Sequence, residues 1–276
     1  MNTLSIVVPA YNESATIDII LNVLINVSLP DGLEREIVIV NDFSTDDTSA
    51  KIQEFIKNNP QSKFQFFSQP KNMGKGAALH KGIEMAKGEW LYFMGSDDSF
   101  YNSEILEKIF ALEAVNTHDV IYGNVFSSRF EHPYDGKFSY YKLAIKNICH
   151  QSIFFRKNVF TKVGKFNLDY KIWADWDHNI RWFYSSRIKK YYINEIIANY
   201  ADGGFSSLNE DSVFIKEKNY KLLKEGFSKL PPAQRRDVCN LALVRAEKDG
   251  DFLRASVLKV VKFALKIDKF LAQKIK

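Results

Sequence analysis

Apolar runs short enough to be strands alternate with longer stretches in which apolar residues recur every three or four positions. Leu4-Ser5-Ile6-Val7-Val8-Pro9 is β-rich, and Ser14 to Val27 then sets Ile17, Ile19, Ile20, Leu21, Leu24 and Ile25 at helical spacing. Glu36 to Val40 predicts a second buried strand, after which Ser44, Thr45 and Asp46 are good N-cap types for a helix running to about Asn58. Phe64 to Ser68, Trp90 to Met94 and Val120-Ile121-Tyr122 predict further strands. Helices are expected between them, from Gly76 through about Ala86 and from Ser103 to about Val115.

Strands joined by helices of this length require right-handed crossovers, so the pattern predicts an α/β fold with a doubly wound, mainly parallel sheet. Ligands of such sheets bind beyond the carboxyl ends of the strands. Those ends carry Tyr11-Asn12-Glu13, Asn41-Asp42 and Gly95-Ser96-Asp97-Asp98. Two adjacent carboxylates ending a buried strand repel each other in a low-dielectric site unless a cation offsets them, and a divalent metal is the simplest. A solvated turn, or a cap for the helix that follows, accounts for the same residues.

Composition bounds the answer. With 276 residues, 46% hydrophobic and 14% aromatic, the chain can build one large α/β domain with an appendage, or two small domains. Met1 to Thr3 lead straight into a strand-like run, and no apolar stretch reaches the roughly 18 to 20 residues of a membrane span. Cys149 and Cys239 belong to no metal or redox spacing. These features lead us to expect a cytoplasmic protein. The net charge of +5 is uneven: Lys216 to Lys276 holds 16 Lys and Arg against 7 Asp and Glu.

Asn72-Met73-Gly74-Lys75-Gly76 lacks the spacing of a dinucleotide fingerprint, and Lys75 is not followed by Ser or Thr as a P-loop requires. The helix it opens still offers N–H groups to an anion with Lys75 beside them, or else the segment is a solvated loop. In the second half, Trp173 to Trp182 reads as a helix on which Asp175 and Asn179 share a face, as do Asp177 and Arg181. Asp177 is expected to form an exposed ion pair with Arg181, and Asp175 is open to reading as an N-cap. Phe214 to Phe227, Pro232 to Glu247 and Phe252 to about Lys274 alternate apolar and basic positions as helices. Packing on the main domain, self-association, or a basic amphipathic surface on anionic lipid would each use them.

Ser5-Ile6-Val7-Val8-Pro9-Ala10-Tyr11-Asn12-Glu13, Val40-Asn41-Asp42-Phe43-Ser44-Thr45-Asp46, Asn72-Met73-Gly74-Lys75-Gly76 and Gly95-Ser96-Asp97-Asp98, in this order, resemble the family 2 glycosyltransferases of the GT-A fold. The likeness covers roughly residues 3 to 205 and extends to enzymes that build bacterial surface polysaccharides. It implies that Pro9, Ala10, Tyr11 and Asp42 hold the base of a nucleotide-diphosphate sugar, most simply a UDP-sugar, that Glu13 or Asp97 holds the ribose, and that Lys75 lies by the phosphates. Asp98 would hold a divalent metal, Mn²⁺ or Mg²⁺. Asp175 matches the family's catalytic base, although Ala174 replaces the acid that usually precedes it. His150-Gln151 and the loop Ala201-Asp202-Gly203-Gly204-Phe205-Ser206, through Gly204 and Ser206, would lie close to donor or acceptor.

The resemblance thus implies an inverting, metal-dependent transferase with a saccharide or lipid-linked acceptor, with no nucleic-acid partner expected. A GT-A domain would span 1–212, with 1–123 binding the nucleotide sugar and 124–212 supplying acceptor contacts and base, followed by a basic amphipathic extension over 213–276. The rivals are a sugar nucleotidyltransferase, which usually opens with a Gly-rich basic loop where this chain has Pro9 to Glu13, and a nucleotide-sugar-binding regulatory module without turnover.

Overall fold

The computed structural model describes residues 2–95, 98–127, 133–200 and 210–274, the side chains at 2 and 266–274 excepted. The first half follows the predicted alternation: β1 (Asn2–Ala10), α1 (Ile17–Asn26), β2 (Leu33–Asn41), α2 (Thr48–Asn58), β3 (Phe64–Ser68), α3 (Lys75–Met85) and β4 (Trp90–Phe93). A two-residue strand β5 (Ser99–Phe100) comes next. The single helix expected from Ser103 to Val115 is two short ones, α4 (Ile105–Phe110) and α5 (Ala114–Thr117), before β6 (Val120–Phe126). The second half runs α6 (Tyr140–Ile145), a 3-10 turn (His150–Ser152), β7 (Ile153–Arg156), α7 (Val159–Lys162), α8 (Ala174–Tyr184) and β8 (Lys190–Asn199). The C-terminal helices are α9 (Ser212–Gly226), α10 (Pro232–Lys248) and α11 (Phe252–Lys274).

One sheet has the order β3-β2-β1-β4-β7-β6-β8-β5. β3, β2, β1 and β4 run parallel, as do β6 and β8, while β7 lies antiparallel between β4 and β6. Alternation along each strand sorts side chains to two cores. Leu4, Ile6, Val8, Ile37, Ile39 and Tyr92 pack beneath the helices contributing Ile17, Leu21, Ile52 and Ile105. Val7, Val38, Leu91 and Phe93 face the other way, onto Leu79, Ile83, Leu143, Trp182 and Phe214. Helix α3 approaches so closely that a Cβ on Gly82 would stand 2.2 Å from Val7 Cγ1.

Helix α9 belongs to this second core. Its N-cap Asp211 accepts from Phe214 N at 3.0 Å and from Ile172 N at 2.9 Å, stitching the start of α9 to the segment leading into α8. Gly226 packs against the Tyr184 ring, where no Cβ would fit.

The exposed ion pair expected of Asp177 is instead a buried triad. Asp177 is fully buried, its Oδ2 taking Arg181 at 2.9 Å and its Oδ1 taking Lys221 of α9 at 2.6 Å. Arg181 also donates to the carbonyls of Gly164 and Lys165. Burial alone would lower the Lys221 pKa, but its bonds to Asp177 and Tyr170 hold it above the ordinary lysine value. Nearby His178 is fully buried, stacked on Phe160 and edged by Phe155 and Phe166. Neither ring nitrogen makes a well-formed hydrogen bond, and burial pushes its pKa well below the usual value, with the Gly164 backbone only a weak counterweight.

Asp177→Asn should destabilise the protein by about 2–4 kcal/mol in urea unfolding, somewhat less than the roughly 3–5 of a fully enclosed pair because both cations keep some contact with water. For His178 the lowered pKa means that the unfolded state takes up a proton near pH 6.5 while the folded state stays neutral, so stability falls as pH drops below about 6.5. In His178→Leu the loss of stability between pH 7.5 and 5.5 should be smaller than in wild type, by about 1 kcal/mol, measured by urea midpoints at both pH values.

Candidate active site

The C-terminal ends of β1 and β2 lie side by side, with Ala10 paired to Asn41. The loops that leave them are interlocked. Asn12 N donates to Ser44 Oγ at 3.0 Å, Thr45 N to Asn12 Oδ1 at 2.8 Å, Glu13 N to Thr48 Oγ1 at 2.7 Å and Ser14 N to Asp46 Oδ2 at 3.2 Å. Hydrogen bonds, foremost from the Thr48 hydroxyl, lower the Asp46 pKa to about 2. Both loops include a left-handed residue, Asn12 at φ 56° and Phe43 at φ 63°. Asn tolerates that region, whereas for Phe it is strained and is held in place by its surroundings. Buried Asn41 supplies part of the hold, accepting from Ser44 N and Oγ while donating to Ser68 Oγ at 2.8 Å. The outcome is a pair of half-exposed rings, Tyr11 and Phe43, beside Pro9 and buried Ala10. Glu13 is tied locally, its Oε2 accepting from Thr16 Oγ1 at 2.9 Å.

Asp42 is buried and receives Met73 N at 2.9 Å and Gly74 N at 2.8 Å on its two oxygens. It fixes the loop that opens α3. Gly74 has φ 84°, a conformation that favours glycine, and Lys75 follows as the exposed first residue of the helix.

A second group of residues forms at the end of β4. Asp98 is 5% exposed, and its Oδ2 accepts from Gln151 Nε2 at 2.5 Å. The Gln151 amide has one orientation, because Cys149 Sγ donates to its Oε1 at 2.7 Å. Burial raises the Cys149 pKa and keeps the thiol protonated; Asp98 and Asp175 push it in the same direction and Lys75 opposes them. Those three charges therefore converge on one neighbourhood, although they come from the ends of β4, α8 and the α3 loop. Tyr92, stacked between Phe100 and Phe154, donates to the Gln151 carbonyl at 2.6 Å and anchors the 3-10 turn.

The preceding residue of that turn faces the other acid: His150 Nδ1 is 3.6 Å from Asp175 Oδ2. Asp175 lies inside the first turn of α8 with Trp173 at the N-cap, so the cap reading does not hold. Its Oδ2 also accepts from Asn147 Nδ2 at 3.1 Å, and Asn147 Oδ1 accepts from Asn179 Nδ2 at 2.9 Å. Asn179 is in turn fixed by the Ile148 carbonyl and Trp182 Nε1. Sequence reading found Asn179 from the i, i+4 spacing but missed Asn147, Cys149 and Tyr92, which lie on other elements and have no periodic signature. Asp97, Gly204 and Ser206 lie outside the described residues.

The family model described as Glycosyl transferase family 2 matches residues 5–180. The chain belongs to this family. A PGL/p-HBAD biosynthesis glycosyltransferase of Mycobacterium bovis is 32% identical over 217 residues, covering 77% of this chain and 82% of its own. The solved structure of S. aureus TarS 1-349 in complex with UDP-GlcNAc matches with a TM-score of 0.66 at 19% identity, over 89% of this chain and 72% of that one. The mannosyltransferase PcManGT from Pyrobaculum calidifontis, in complex with GDP-Man and Mn²⁺, gives 0.61 at 17% identity, over 99% and 79%. At such identities the structural likeness bears on the fold alone, which is GT-A.

Divalent metals are general in glycosyltransferases of this kind. Among the described residues no group of three or more His, Cys, Asp or Glu could cage a metal. Mg²⁺ and Mn²⁺ seldom need one: hard ions of this type take one or two carboxylates, several waters and the substrate's phosphates. A buried carboxylate at a strand end, as Asp98 is, fits a metal that arrives with a diphosphate.

Loss of the Asp42 carboxylate should free the α3 loop before it affects anything else. In Asp42→Ala, amide exchange at Met73 and Gly74 is expected to rise at least about tenfold by mass spectrometry, since each bond to a charged acceptor contributes about 1.5–3 kcal/mol.

Proposed function

We propose that this glycosyltransferase is an inverting enzyme that moves a sugar from a nucleotide-diphosphate donor, a UDP-sugar, to an acceptor hydroxyl in the building of a bacterial cell-surface polysaccharide or glycolipid. The observation that carries the reading is the pairing of the two acids through adjacent residues of one turn, Gln151 to Asp98 and His150 to Asp175. The UDP-GlcNAc bound by TarS and the bacterial relative support the donor class and the setting. In this reading residues 1–212 form the catalytic domain and 213–276 an extension whose first helix, α9, packs into that domain's core.

The base stacks on the exposed face made by Tyr11 and Phe43, with Pro9 and Ala10 beneath it and Asp42 holding the neighbouring loop. Lys75 and the first-turn amides of α3 lie on the phosphate side, where the positive end of a helix favours an anion. Asp98 would hold Mn²⁺ or Mg²⁺, which when bound neutralises charge growing on the leaving diphosphate, and Glu13 or Asp97 would hold the ribose. Asp175 takes the proton of the acceptor hydroxyl as its oxygen attacks the anomeric carbon from the face opposite the diphosphate. The bond from that carbon to the diphosphate oxygen breaks, its electron pair leaving with the nucleoside diphosphate, and the configuration inverts. Asn147 and His150 fix the carboxylate that accepts the proton, which matters because a displacement of about an ångström can cost catalysis a hundredfold.

Asp175→Asn should lower transfer by roughly 10²- to 10⁴-fold, because an amide cannot take the proton at neutral pH, while UDP affinity stays within about twofold. Near wild-type transfer would remove Asp175 from the mechanism. Asp98→Asn should abolish the Mn²⁺-dependent part of UDP binding measured by calorimetry. Product analysis separates the rivals: nucleoside diphosphate marks the transferase, pyrophosphate the nucleotidyltransferase, and binding without turnover the regulatory module.

A further inference from the structure

Helix α11 is apolar on two sides. Ala255, Leu258 and Leu265 are buried against Cys239, Ala242, Leu243 and Ala246 of α10, with Val261 partly covered beside them. On the opposite side Phe252, Leu253, Val257, Val260 and Phe263 follow one another at spacings of one, three and four, all more than half exposed, Phe252 at 84% and Leu253 at 79%. Scattered exposed apolar residues need no explanation, but two phenylalanines and three branched aliphatics on one helical face form a patch of the kind that marks an interaction surface.

The charge around the patch identifies what covers it. From Phe252 to Lys276 the chain holds seven Lys and Arg against the single acid Asp268, whereas the whole protein carries only +5. Two copies of such a helix laid face to face would bring like charges together around the apolar strip, and lysine is depleted at the centres of protein interfaces. The ion pairs of Arg254 with Asp251 and Lys259 with Glu247 are open to solvent and compete weakly with another anion, and Arg254 also lies over the Tyr220 ring. At about 1.5 Å per residue the helix would be long enough to span a bilayer, yet its regularly placed cations forbid it, and no described helix is both long and apolar enough to cross a membrane. An apolar face with cations along its margins suits the boundary between lipid headgroups and acyl chains, where the rings enter and the lysines reach back to the phosphates.

We infer that the outward face of α11, centred on Phe252, Val260 and Phe263, lies in the plane of an anionic bilayer surface. The inference does not depend on the reading of the active site, since it needs neither donor, acceptor nor turnover.

The test uses the full chain in co-sedimentation with vesicles of phosphatidylcholine and phosphatidylglycerol, and with vesicles of phosphatidylcholine alone. Binding to the mixed vesicles is expected, at least tenfold weaker on phosphatidylcholine and weakened by salt. The triple variant Phe252→Ser, Val260→Ser, Phe263→Ser should lose at least tenfold in vesicle affinity while keeping its helical circular dichroism and thermal midpoint, as changes to exposed side chains allow. Lys259→Gln with Lys262→Gln should lower binding to the anionic vesicles and leave the weak binding to phosphatidylcholine unchanged. The inference is overturned if the full chain fails to bind anionic vesicles at low salt, if both vesicle types bind equally, or if the serine variant binds as well as wild type. It is also overturned if sedimentation equilibrium shows a dimer in solution that the serine variant dissociates, which would make the patch a contact between copies.

Discussion

A sheet covered by helices on both faces leaves a charged group without partners nowhere to sit except beyond the ends of its strands. Leu4, Ile6, Val7, Val8, Val38, Ile39, Tyr92 and Phe93 are all essentially inaccessible, so an uncompensated carboxylate among them would be prohibitively costly. The two ends are used differently. At the amino end, Glu36 is closed into a network with Ser5, Gln65, Lys87 and Gly88. Burial would raise its pKa, but those hydrogen bonds outweigh it and hold the carboxylate below the usual value. At the carboxyl end the acids belong to loops, where the same need for partners is met by backbone amides and by side chains from distant elements.

That arrangement gives the 3-10 turn His150–Ser152 its importance. It lies just before β7, the antiparallel strand inserted between β4 and β6, and so reaches the carboxyl end of β4 with two consecutive side chains. Gln151 goes to the acid after β4 and His150 to the acid on α8. A strand of the parallel kind at this position would have carried these residues to the opposite edge.

Helix α8 carries a candidate catalytic acid and a structural one on opposite sides. Residues two apart on a helix point in nearly opposite directions, so Asp175 faces the candidate site and Asp177 faces the core. Asp177 locks α8 to α9 through Lys221 and to the 163–165 segment through Arg181. The first of the basic helices is thereby part of the core on which the site rests, whereas α11 keeps one apolar face outward.

Local pattern alone determined the strand and helix order of the first half, because buried parallel strands read as continuous apolar runs and amphipathic helices carry their period in the sequence. The acids at strand ends were legible for the same reason, since a charge can follow such a run only where the run leaves the sheet. The break between α4 and α5 was not, because both pieces bury the same periodic residues. Tertiary structure decided the rest. Whether Asp177 is exposed depends on Lys221, forty-four residues away, and the orientation of Asp175 depends on Asn147, with His150 alongside, neither of which any spacing rule connects to it. Asp42, Asp98 and Asp175 are alike as letters in the chain. What distinguishes them is the partner each finds: two backbone amides, a glutamine held by a thiol, and an asparagine and histidine at the start of a helix. Partners of that kind are set by which elements the sheet order brings together, and hydrophobic periodicity, which reports only on burial, contains no record of it.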